Sequence, residues 1–336
     1  MIRNRLAARK RDTMASMPSM LVCVSHSPII MIRARAPADE PAILALYAQC
    51  AAAIAKFAPE CVVIFGSDHF AGFFNANMPA YCLGLAAAAV DDVGGFAGPL
   101  RVPAKLATAL LLQLRRDGFD PSSSQQMKVD HAFSQPLRRL TGSLDRYPTV
   151  PIFIGALTPP FLGFARSRAL GESVGRHFAA SGQRVLYIGS GGLSHHPTRY
   201  YPLPGQASPA VAAWQLAGPQ GGSLSEPQWL AKLYDDHVEG ADMLISGQRT
   251  LQDIRLNPEF DREFMARFVA GDLEHLASID ADECFAQAGI GSLELHTWIA
   301  ALAAQRAAGG ALASHHLYSP TLEYGIGYGM AWSPPP

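Results

Sequence analysis

Three stretches of this chain carry an apolar run into a histidine: Cys23-Val24-Ser25-His26, Phe65-Gly66-Ser67-Asp68-His69 and, through a glycine-rich turn, Gly191-Gly192-Leu193-Ser194-His195. One such imidazole is ordinarily a packed structural residue. Three built alike point to a shared task. A neutral imidazole offers a ring-nitrogen lone pair, so several at one place suit a metal ion, and one left off the metal can move a proton near neutral pH. A fourth, His131, lies between Asp130 and Pro136, which bracket it in an expected loop. The other seven, at positions 177, 196, 237, 275, 296, 315 and 316, fall in helical or tail contexts or stand beside a histidine already named, and read as packing or solvated residues.

Two histidines and one carboxylate leave positions open for substrate and oxygen around Fe(II). Glu294 is the candidate carboxylate. It stands near the start of an otherwise apolar helix, where an unpaired charge would be costly, although a helix dipole also favours a glutamate there. Spacing alone does not decide between these. Other motifs are weaker: "IGSGGLS" has Ser194 where a dinucleotide fingerprint wants a third small Gly or Ala. Ser190 lacks the first glycine of a nucleophile elbow, because Ile188 occupies it.

For strand ends to meet, the strands must be parallel. Apolar runs beginning at residues 21, 61, 150 and 184 alternate with helical spacing over 41–57, 102–117 and 164–181, closed by Pro59, Gly118 and Gly182. This alternation predicts an α/β fold, a mostly parallel central sheet flanked by helices, whose strand carboxyl ends form a ligand-binding edge. From about Ser208 the strands fade, and 226–247, 260–278 and 291–309 read as a helical C-terminal part.

The chain has 336 residues, 49% hydrophobic and 16% charged, which implies a well-buried core. A net charge of -1 supplies no basic field for nucleic acid. No apolar run is long enough for a membrane span. Five widely spaced cysteines without a Cys-x-x-Cys pair read as reduced core residues of a cytoplasmic protein. Residues 1–19 are basic and lack the apolar core of a secretory signal; they read as a disordered extension or as preceding the true start at Met14, Met17 or Met20, with an organellar targeting peptide as the alternative. A single domain is expected over 20–330.

The segments "CVSHSPII", "SDHFAGFF", "MPAYCLG", "KVDHAFSQPL", "IGSGGLSHHP", "QRTL...NPEFD" and "ELHTW" appear in the order and approximate spacing of the class III, LigB-type, extradiol ring-cleavage dioxygenases. The resemblance runs from about Met20 to Met330 and is strongest to members acting on 2,3-dihydroxyphenylpropionate and 2,3-dihydroxycinnamate. It implies Fe2+ held by His26, His69 and Glu294, with His195 as the base that deprotonates the catechol and His131 as the proton donor. It also implies O2 as co-substrate, a role in aromatic and phenylpropionate catabolism, and a homo-oligomer, tetrameric or larger. Two departures stand out. Phe70-Ala71 replaces Tyr-Asn after Asp68-His69, and Lys128 stands where a neutral residue is expected. Arg249, within "QRTL", is a candidate for the substrate tail, a surface arginine at a helix end being the plainer reading. Catechol or another 3-substituted catechol is the alternative substrate. A LigB-fold binding protein and, more distantly, a hydrolase are the alternative classes, and neither would consume oxygen.

Overall fold

The computed structural model describes residues 19–199 and 201–335. Of the expected N-terminal extension only Ser19 falls within them, and it opens the first strand. Eleven strands follow in chain order: β1 Ser19–Val24, β2 Cys61–Gly66, β3 Tyr81–Gly84, β4 Ala87–Ala89, β5 Gly98–Pro99, β6 Ser122–Ser124, β7 Met127–Val129, β8 Thr149–Ile154, β9 Val185–Ser190, β10 His315–Thr321 and β11 Ile326–Trp332. Eight form the main sheet in the order β10-β11-β1-β9-β2-β8-β3-β6. The four central strands β1, β9, β2 and β8 are mutually parallel, and every residue in them is buried. That burial explains their continuous apolar composition, since a strand covered on both faces has no polar side.

The edges break the parallel pattern. β3 runs antiparallel to β8, and β11 antiparallel to both β1 and β10. A small second sheet, β5-β4-β7, lies apart from the main one. Alternation along β1 sends Met20, Val22 and Val24 into one core and Leu21 and Cys23 into the other. The first core takes in residues of helices Glu40–Phe57 and His131–Thr141; the second takes in residues of Ala104–Arg116, Phe164–Ala179 and Leu295–Ala307. The last two helices approach backbone to side: a Cβ on Gly171 would stand 2.1 Å from the Ala300 carbonyl oxygen, and one on Gly175 2.2 Å from that of Ala304. Glycines facing alanines thus set the helix that begins just after Glu294 close beside its neighbour.

The structure departs from expectation in two places that matter for the site. Beyond the helices spanning 209–307, the chain returns as the hairpin β10-β11 and pairs with β1, so strands do not end where the helical region begins. Within β11, a Cβ on Gly327 would stand 2.1 Å from Asp261 Oδ2, which is why glycine is there. His315 and His316 accordingly lie in a strand and not in a tail. His131, expected in a loop, is the first residue of helix His131–Thr141. Asp130 caps that helix, its Oδ1 accepting the Ala132 N–H at 2.9 Å. Burial of residues 131 to 137 outweighs the helix-breaking tendency of Pro136.

Candidate metal and catalytic site

The carboxyl ends of β1, β2 and β9 lie side by side, and the residues that leave them carry the three expected imidazoles. After β1, Ser25 keeps the edge pairing, its N–H donating to Gly329 O at 2.9 Å and its Oγ accepting Gly329 N–H at 3.0 Å. His26 follows, buried, with Nδ1 2.8 Å from Ser190 Oγ at the end of β9. After β2, the Asp68 carboxylate accepts the N–H groups of Ala71, Gly72 and Phe73 at 3.0 to 3.1 Å, curling the chain tightly behind His69. The turn puts Phe70 at φ 62°, in the left-handed region a phenylalanine rarely adopts. Trp214 Nε1 donating to Phe70 O at 3.0 Å helps hold it there.

Each imidazole is fixed through Nδ1, which turns Nε2 toward a common space. His69 Nδ1 lies 2.9 Å from Asp130 Oδ2, which also accepts the His69 backbone N–H at 2.6 Å. His131 Nδ1 lies 2.5 Å from Asp92 Oδ2, and its N–H reaches the same oxygen at 3.0 Å. His195 Nδ1 lies 2.9 Å from the Leu193 carbonyl oxygen. His26 meets His69 and His131 edge to face at 5.5 and 5.3 Å between ring centres, while His69 and His131 stack at 4.4 Å.

Glu294 closes the group. It ends a short 3-10 turn, Ile290–Glu294, that runs straight into helix Leu295–Ala307. Its Oε1 stands 3.1 Å from His26 Nε2 and 3.6 Å from His69 Nε2. Ser67 Oγ donates to the same oxygen, and Gly192 N–H donates to Oε2 at 2.7 Å. Burial opposes ionisation of this carboxyl, yet the neighbouring His26 and His69 hold it well below the usual range. Among the described residues, ring nitrogens of His26, His69 and His131 lie within 4.8 Å of one another, and donor atoms of Asp92, Asp130 and His131 do likewise. Imidazoles with Nδ1 secured and a buried carboxylate beside them suit a divalent transition metal, because the second hydrogen bond fixes the ring and leaves Nε2 as ligand.

The two remaining histidines are pushed in opposite directions. Burial lowers His195 to about 4, so its ring is neutral. Burial also opposes protonation of His131, but Asp92 and Asp130 outweigh it and lift the group to about 9. A neutral ring that already donates Nδ1–H to a carbonyl offers Nε2 as an acceptor; a protonated ring paired with a carboxylate offers Nε2–H as a donor. Titratable groups driven apart in this way can serve as a base and an acid.

These groups face a cavity of about 710 Å³. Its far wall comes largely from helices Pro209–Ala217 and Glu226–Ile245, which contribute Trp214, Trp229 and Leu233. His237, expected only to pack, also lines it, with Nδ1 2.6 Å from Leu233 O. Arg249 is not among the lining residues; its Nη2 donates to Thr198 Oγ1 at 3.3 Å. Asp92 and Ser190 as ring partners were not foreseen. Asp92 lies 39 residues before the ring it holds, and only Asp130, adjacent to His131, offered a local signal.

Glycines make the room for this geometry. A Cβ on Gly291 would stand 1.9 Å from His195 Cε1, and one on Gly192 2.4 Å from the same atom. The glycine-rich loop after β9 is therefore a mould for an imidazole and not a phosphate cradle. Buried Asp261 steadies it, accepting Ser194 N–H at 2.8 Å, Ser194 Oγ–H at 2.6 Å and Tyr318 Oη–H at 2.9 Å.

Among the described residues no helix is long and apolar enough to cross a membrane. The chain is 38% identical over 316 residues to proteins named 2,3-dihydroxyphenylpropionate/2,3-dihydroxicinnamic acid 1,2-dioxygenase from Escherichia coli K12, Escherichia coli SMS-3-5 and Shigella sonnei, covering 93% of this chain and 98% of each relative. A solved structure of an uncharacterized Escherichia coli K12 protein aligns over 94% of this chain and 99% of its own, with a TM-score of 0.40 and 12% identity. A family model described as the catalytic LigB subunit of aromatic ring-opening dioxygenase matches residues 20–329, and the chain belongs to that family.

Proposed function

We propose that this enzyme cleaves 2,3-dihydroxyphenylpropionate, and its dihydroxycinnamate analogue, with O2 beside a hydroxyl-bearing ring carbon, giving a ring-opened hydroxy-oxo-dienedioate. The observation that carries this is the set His26, His69 and Glu294 flanked by one neutral and one protonated histidine on a single sheet edge. His26 and His69 would hold Fe(II) through Nε2, and Glu294 through a carboxylate oxygen. When bound, Fe(II) supplies the one-electron chemistry that lets a catechol react with O2, which Zn(II), with no redox chemistry, cannot.

The chain's own residues do the rest. His195, neutral and with Nδ1–H committed to Leu193 O, takes the proton of a catechol hydroxyl on Nε2. His131, kept protonated by Asp92 and Asp130, returns a proton from Nε2 when the O–O bond breaks. Phe70, Tyr201 and Trp214 give the cavity an apolar wall against which an aromatic ring lies flat and from which water is displaced. The size and apolar lining of the cavity suit a substituted catechol. The five cysteines are buried and unpaired, which supports a cytoplasmic setting, and a homo-oligomer, tetrameric or larger, accompanies the family resemblance.

The test is oxygen uptake by anaerobically Fe(II)-reconstituted protein given 2,3-dihydroxyphenylpropionate, with catechol in parallel and absorbance followed for a yellow product. Uptake with yellow product favouring the propionate compound is expected. Preference for catechol would reassign the substrate, and no uptake with either despite bound iron would overturn the dioxygenase reading.

A further inference from the structure

We propose that Lys128 is the specificity-determining residue that receives the carboxylate of an anionic catechol side chain, with Glu226 as the partner it shares. This deepens the function proposed above and rests on it. Among the described lining residues Lys128 is the only lysine or arginine. It projects from the exposed position of β7, between buried Met127 and Val129, three residues before His131. Its Nζ lies 3.3 Å from Glu226 Oε1, the first residue of helix Glu226–Ile245 across the cavity, and both side chains are more than half exposed. The pair therefore spans the mouth between the small sheet and the aromatic-bearing helix.

Away from Lys128 and His131, the charged side chains lining the cavity are acidic. Asp91, Asp92, Glu226 and Glu294 all line it. Asp92 is committed to His131, and Glu294 to His26, His69 and Gly192. His237 is kept neutral, burial lowering it to about 3. Protonated His131 is paired with Asp92 and is the proton donor of the proposed reaction, so of the positive groups on the lining only Lys128 stands free of the ring chemistry to receive a carboxylate tail. An ammonium has three donors, so Lys128 can bind the tail while Glu226 still touches it. The Glu226 carboxylate does not depend on that contact, because it sits in the first turn of its helix, where negative charge is favoured.

The test compares 2,3-dihydroxyphenylpropionate with 3-propylcatechol, which has a three-carbon side chain without the charge. Dissociation constants are measured anaerobically, so that no turnover occurs, for the Fe(II) protein and its Lys128→Gln and Glu226→Gln variants. Lys128→Gln should weaken the charged ligand relative to the uncharged one by roughly three- to tenfold, the size of a partly exposed ion pair. Glu226→Gln should shift the same ratio the other way by removing a competing carboxylate. Binding of the uncharged ligand reports whether each variant is folded. Equal weakening of both ligands by Lys128→Gln, or no weakening of either, would overturn the assignment. Failure of the unaltered enzyme to open either catechol would instead overturn the dioxygenase reading, while the binding ratio still tests Lys128.

Discussion

At the scale of single residues, the chemistry is divided by what each Nδ1 touches. A carbonyl at Nδ1 makes His195 an acceptor, and a carboxylate at Nδ1 makes His131 a donor. The pH dependence follows from the sign of each shift. In the proposed reaction His195 must be neutral, so activity should be lost as pH falls through about 4. In the same reaction His131 must be protonated, so activity should be lost as pH rises through about 9, as a pH profile of kcat/KM checks. Asp92→Asn removes the partner that raises His131 and should move the alkaline limb of kcat/KM downward by about one to two units, leaving the acid limb in place. An unmoved alkaline limb in that variant would show that Asp92 does not set the acid. The four main imidazoles could be singled out from sequence because each follows a strand or an Asp. Asp92 could not, since its partner is distant in the chain and brought close only by the fold.

At the scale of elements, the loop after β9 and the 3-10 turn before helix Leu295–Ala307 close on His195 from two sides. Gly192 and Gly291 exist there because any Cβ would occupy the ring's space. Gly291→Ala should push His195 out of position, retain iron and lower oxygen uptake by about a hundredfold, the usual contribution of a placed general base. Uptake near that of the unaltered enzyme would mean that the ring has room to shift. The four central strands were readable because double burial leaves a continuous apolar run, as in Cys61 to Phe65. The edge strands were not. β6 is three serines, and β11 carries two glycines whose reason, contact with Asp261 and Leu193, lies in other elements. Asp130 and Pro136 are both local loop signals around His131, and packing of helix His131–Thr141 overrides them.

At the scale of the whole molecule, the last strands complete the site laid down by the first. β11 pairs with β1, and all seven of its residues are buried. The bend before it supplies Tyr324, whose carbonyl accepts Ser27 Oγ–H at 2.7 Å, and Tyr324 and Ile326 line the cavity. A chain ending at Ala313 would leave β1 with an unpaired, apolar edge. It should give no soluble protein with a cooperative thermal transition, as checked by size-exclusion chromatography and calorimetry; a soluble, cooperatively melting product would contradict this role for the hairpin. The central claim concerns which residues hold the metal and which move protons, and the geometry makes it sharply testable because His131 lies as near to His26 and His69 as a third ligand would. The most direct measurement is bound iron per chain after reconstitution of the His26→Ala, His69→Ala, Glu294→Ala, His131→Ala and His195→Ala variants. Loss of iron from the first three, with retention in the last two, is the expected result. Retention by Glu294→Ala together with loss from His131→Ala would contradict it and make a three-histidine site the correct assignment.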